Sequence, residues 1–192
     1  MFKELNTVQF PEFKGIDVNM MPFIFGDTRS IPEEMRPYSE IIKQCNFENG
    51  STCYLTITET IVGKSATQRR GGIHVESPLG LSWGGGWGGI SSDAGVYMAS
   101  TDGRTELWNE IREERDHHGR CKVNGIGKIM QPSTLYWLTD LTPHAALPSL
   151  VDGNRQFIRV VSPKVDVWFS QHSTPNPLGI QPKASIIEHS KF

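Results

Sequence analysis

CYLTITETIVGKSATQRRGGIHVE, residues 53–76, is the stretch on which the reading of this chain turns. Residues 53–62 are dense in β-branched and aromatic side chains, the composition of a strand. Alternation puts Leu55, Ile57 and Ile61 on one face and Thr56, Thr58 and Thr60 on the other. A glycine turn at Gly71-Gly72 introduces a second expected strand, QRRGGIHVES over 68–77. There Ile73 and Val75 face the core, and His74 and Glu76 point together to the opposite side. An imidazole nitrogen and a carboxylate oxygen converging from positions i and i+2 are two ligands offered to a divalent ion.

Working outward, strands recur at short spacing. They are expected at 96–99, 122–130, TLYWLT (134–139), RQFIRVV (155–161) and VDVWFS (165–170). RTELWNEIREERD (104–116) reads as a helix with Leu107, Trp108 and Ile111 as its apolar stripe. Ser30-Ile31-Pro32-Glu33 fits a capping box, and a short helix follows to about Cys45, kinked or split by Pro37. Pro11, Gly15, Pro22 and Gly26 interrupt the first 30 residues. Strands on both sides of one helix favour an antiparallel sandwich or barrel over a βαβ array. LSWGGGWGGISSDAG (81–95) lacks the G-K-[ST] of a phosphate loop and reads as a long mobile loop, a lid over the site.

The 192 residues make one domain, with 1–50 as an N-terminal extension whose short helix packs on a β-barrel core at 53–170. With 19 Gly and 12 Pro, turns and short strands are expected rather than a helical bundle. A net charge of −2 provides no basic field for nucleic acid. No run reaches the ~20 apolar residues of a membrane helix, and MFKELNTVQFPEF lacks the apolar core of a secretory signal. A cytoplasmic protein is expected. Cys45, Cys53 and Cys121 lack zinc-type spacing and read as free thiols, with a Cys45–Cys53 bridge as the alternative in an oxidising compartment.

Two more features join the His74/Glu76 pair. His144 follows a predicted strand, and beyond it Arg155, Phe157 and Arg159 share one strand face. Arginine in an apolar-flanked strand is costly unless paired, which implies an anionic partner, and guanidinium matches carboxylate with two parallel hydrogen bonds. Asp140 reads either as a turn residue, as an acceptor that orients His144, or as a replacement for Glu76. Gln68, Arg69 and Arg70 are placed to draw an anionic substrate or to form a solvated turn. Trp83, Trp87, Tyr97 and Trp137 are candidates for pocket lining as well as for core. His117 and His118 suit the dipole at the expected helix end, and His172 reads as a surface or packing residue.

A strand-borne H-x-D/E, a distal His and an Arg beyond it resemble the double-stranded β-helix non-haem iron oxygenases, over about residues 53–162. The resemblance implies a mainly β, cupin-like jelly-roll barrel with one or two flanking short helices. It implies Fe(II) held by His74, Glu76 and His144, and 2-oxoglutarate held by Arg155, with Arg159 as competitor. Glu stands where those oxygenases usually have Asp. The expected function is therefore oxidation of a small organic substrate. Alternatives are a cupin-type dioxygenase, isomerase or lyase without 2-oxoglutarate, and a non-enzymatic β-sandwich binding module presenting Trp83 and Trp87. Cupin-like folds often dimerise through sheet edges, so a homodimer is compatible with this reading.

Overall fold

The computed structural model describes residues 1–76, 95–110, 115–116 and 118–188. Eleven strands are formed: β1 (Phe2–Thr7), β2 (Asp17–Ile24), β3 (Thr52–Val62), β4 (Val96–Ser100), β5 (Thr105–Leu107), β6 (Lys128–Ile129), β7 (Thr134–Leu138), β8 (His144–Ala146), β9 (Gly153–Val161), β10 (Val167–Phe169) and β11 (Ser185–Ile187). Between β2 and β3 lie two 3-10 turns, Thr28–Ser30 and Glu33–Tyr38, and one four-residue helix, α1 (Ser39–Ile42). Pro37 falls inside the second turn and interrupts what would otherwise be a longer helix.

A six-stranded antiparallel sheet in the order β1-β7-β4-β9-β3-β2 forms the middle of the molecule. Both of its faces are buried. One face carries Phe23, Leu55, Ile57, Tyr97, Trp137 and Ile158, packed under Ile31, Met35, Tyr38 and Ile41 of the turns and α1. The other carries Tyr54, Met98, Tyr136 and Phe157, and meets Leu107 of β5 and Trp168 of β10. The second layer is a three-stranded sheet, β6-β5-β8, with the β10-β11 pair beside it. The protein is thus mainly β, with antiparallel sheets and one short helix among the described residues.

Several sequence expectations change. Residues 105–107 form strand rather than helix: Leu107 pairs with His144 on one side and Lys128 on the other, and Trp108 N–H donates to Pro143 O. Ladder bonds on both sides override the local helical pattern. The strand expected over 68–77 contracts to a bridge at His74, and that over 122–130 to Lys128–Ile129. The first 24 residues supply both edges of the large sheet, so they are built into it rather than appended to it. Ile61, expected on the core face, is 76% exposed because β3 there runs past its cover. The Trp83 and Trp87 loop lies outside the described residues. Cys45, Cys53 and Cys121 are free thiols, the first two buried. Among the described residues no helix is long and apolar enough to cross a membrane.

Candidate functional site

His144 opens β8, and its main chain pairs with His74. His74 N–H donates to His144 O at 3.0 Å and His144 N–H to His74 O at 2.8 Å. Residues that exchange both bonds across an antiparallel pair project their side chains to the same side. The two rings accordingly lie with centroids 4.4 Å apart. Each ring is held the same way: Nδ1 of His74 lies 2.8 Å from Gly72 O, and Nδ1 of His144 2.9 Å from Thr142 O. A carbonyl oxygen only accepts, so both Nδ1 atoms carry protons, and when the rings are neutral the lone pairs sit on Nε2. Burial and then the neighbouring His144 push the His74 imidazole down to about 3, so it is neutral at pH 7.

Gly119 fixes the strand that carries this pair. Val75 N–H donates to Gly119 O at 2.8 Å, and a Cβ on Gly119 would lie 2.5 Å from Val75 O. Its φ of +75° is one that L side chains rarely adopt, so glycine is required twice over. Glu76 follows, its N–H donating to Asp140 O at 3.1 Å. Its Oε1 stands 3.6 Å from Nε2 of His144 and 2.8 Å from Nη1 of Arg159. Burial opposes the charge on Glu76, but Arg159 above all outweighs it and holds the carboxyl well below the usual range.

Arg155 and Arg159 share a face of β9 but have different neighbours. Arg155 is pinned by Asp102 at 2.7 Å and by Ser100 at 3.1 Å, away from the imidazoles. Its anionic partner is therefore internal, whereas Arg159 lines the cavity with the imidazoles. Arg159 also reaches Thr56 Oγ1 at 3.4 Å and Asn19 Oδ1 at 3.5 Å. Asn19 is presented by a register shift in β2 between Val18 and Met21, where Met20 adopts φ 51°. Sequence reading missed Asn19, since Pro22 and the bulge hide the alternation of that strand.

His74, Glu76, His144 and Arg159 line one cavity of about 250 Å³, together with Arg69, Arg70, Phe157 and Trp168. Arg69 stacks on Phe157, its Cζ 5.2 Å from the ring centre, and donates to Thr58 Oγ1 at 3.3 Å. Exposed Arg70 donates to His118 O at 2.9 Å. His118 and His172 also line the cavity, a placement their sequence context did not signal.

Other candidates sit elsewhere. Gln68 Nε2 ties its segment to the sheet through Thr58 O, Thr60 Oγ1 and Arg155 O. Tyr97 and Trp137 are on the opposite sheet face, in the core under the helical cover, because their strand parity is opposite to that of Met98 and Tyr136. The carbonyl of Thr142 orients His144, a role expected of Asp140, whose own carbonyl instead positions Glu76. Among the described residues no group of three or more His, Cys, Asp or Glu side chains is placed to hold a metal ion, and Glu76 is engaged by Arg159.

The site is thus a pair of imidazoles and a carboxylate at the mouth of an arginine-lined cavity between two β layers. Comparison with known proteins finds no match: no family model, no curated protein and no solved structure resembles the chain significantly.

Proposed function

We propose that this chain is a metal-dependent enzyme with a cupin-like double-stranded β-helix fold, acting on a small organic substrate. His74, His144 and Glu76 would hold a divalent ion, Fe(II) in the reading favoured here. The observation that carries the proposal is the pair of Nδ1–H···O=C bonds at Gly72 and Thr142, which hold both rings in the tautomer that a metal ligand needs. Two imidazoles and one carboxylate suit iron and oxygen chemistry. When bound, the ion would supply activation of dioxygen. The chain's part is to hold the ligand side chains, to anchor an anion with guanidinium, and to keep the cavity largely dry.

Arg159 would then hold the far carboxylate of 2-oxoglutarate. The engagement of Arg155 by Asp102 also favours a second reading. In that reading the enzyme is a cupin-type dioxygenase, isomerase or lyase whose arginines hold an acidic substrate directly.

Metal analysis of protein purified without chelator tests the shared claim: near one ion per chain is expected, and its loss in His74→Ala. Absence of metal, or equal metal in that variant, overturns it. Anaerobic addition of 2-oxoglutarate to the Fe(II) protein separates the two readings. A charge-transfer band, with oxygen-dependent succinate formation, is expected of the first; an unchanged spectrum with metal retained selects the second.

A further inference from the structure

Among the described residues, three arginines and one carboxylate line the cavity. Arg159 is paired with Glu76 at 2.8 Å. Arg69 has no carboxylate within ion-pair distance among the described residues, and its one hydrogen bond there is to the neutral Thr58 Oγ1. Burial and then the proximity of Arg159 pull Arg69 down to about 10, with Glu76 and Asp17 only partly opposing them. A guanidinium half-buried in this way is costly unless something anionic completes it. Its Cζ already lies 5.2 Å over the Phe157 ring and its Nη1 donates to Thr58, so part of its freedom is spent before an anion docks.

The wall around it specifies the rest of the ligand. Phe157, Met98 and Trp168 form an apolar side beside the guanidinium, and the volume of about 250 Å³ restricts the occupant to a small molecule. We infer that Arg69 is the substrate clamp, and that the substrate is a small anion with an apolar or aromatic body and a carboxylate or phosphate group. This names the substrate class of the site proposed above and rests on that reading for its catalytic meaning. The anion contact itself needs no metal.

The experiment is ligand-observed NMR titration of the purified protein, with and without chelator, using phenylacetate, phenyl phosphate and neutral 2-phenylethanol. At least one anion is expected to bind ten times more tightly than the alcohol, and the tighter of the two identifies carboxylate or phosphate. Arg69→Gln should reduce that anion to the level of the alcohol, and Arg69→Lys, which keeps the charge but not the planar stack, should weaken it less. Lys64→Gln, an equal loss of charge on the surface, should leave it unchanged. Far-UV circular dichroism confirms that the variants are folded. Anions that bind no better than the alcohol, or that bind Arg69→Gln and Arg69→Lys as well as the parent, overturn the inference. Binding that chelator abolishes but Arg69→Gln does not would assign the anion to the metal and overturn it too. Anion binding through Arg69 in a protein that holds no metal would instead sink the catalytic reading while this clamp stands.

Discussion

Replacing Glu76 by Gln leaves Arg159 largely buried without its carboxylate. The Arg159 Nε already has no hydrogen-bond partner, so the loss falls on a group with little alternative. Removing one member of such a pair is expected to cost about 3 kcal/mol in urea denaturation. The double variant Glu76→Gln/Arg159→Met should regain more than half of this, because the stranded charge goes with it. A cost that the double variant does not relieve would show that the pair contributes little. At this scale the sequence showed which residue types matter but not which arginine. Arg155 and Arg159 have the same parity on the same strand; what separates them is Asp102, which folding places 2.7 Å from Arg155. The i, i+2 spacing placed His74 and Glu76 on one side, but the meeting with His144 comes from a single main-chain bridge that local pattern does not signal.

Elements tie these residues down. Gly119→Ala would force a Cβ against Val75 O at a positive φ. It is expected to cost about 1–3 kcal/mol and to weaken anion binding, since the displaced segment carries both His74 and Glu76. Thermal denaturation and titration of the same variant check both effects. Glu59 on β3 fixes the segment before β2: its carboxylate accepts from Lys14 N–H, Ile16 N–H, Tyr38 Oη–H and Gln156 Nε2–H. Burial opposes its charge, but these donors prevail and its pKa is lowered. The folded state therefore binds fewer protons than the unfolded state. The stability from Glu59 is full above the ordinary carboxylate range and is lost as pH falls through the lowered value. Glu59→Gln should flatten the acid side of a stability–pH profile measured by urea denaturation; an unaltered slope would refute the assignment. Strand β3 was legible from composition alone. Strand β1 was not, since five of its six residues are exposed and show no alternation. The stripe Leu107, Trp108 and Ile111 fitted a helix equally well until pairing with β6 and β8 made residues 105–107 extended.

Across the whole molecule, β3 and β9 serve two interiors at once. Leu55 and Ile57 pack under the helical cover, while Thr56 and Thr58 meet the arginines of the cavity. Stability and site chemistry are therefore separable by parity along one strand. Leu55→Ala is expected to cost about 2–5 kcal/mol in chemical denaturation and to leave anion affinity within twofold. A large loss of affinity would show that the two layers are mechanically coupled. A mainly β architecture could be anticipated from strand spacing and turn residues, but the layering could not. It depends on which distant segments cover each face, and that information is carried by contacts rather than by local pattern.

The reciprocal bonds between His74 and His144 give the site its own clock. Both amide protons are sequestered while that bridge is closed, and among the described residues it is an isolated pair rather than part of a strand ladder between the two segments. Their solvent-exchange rates thus count the openings of the site itself. Any occupant that braces the two rings from within should slow both protons by a common factor, leaving those in the middle of β3 and β9 as they were.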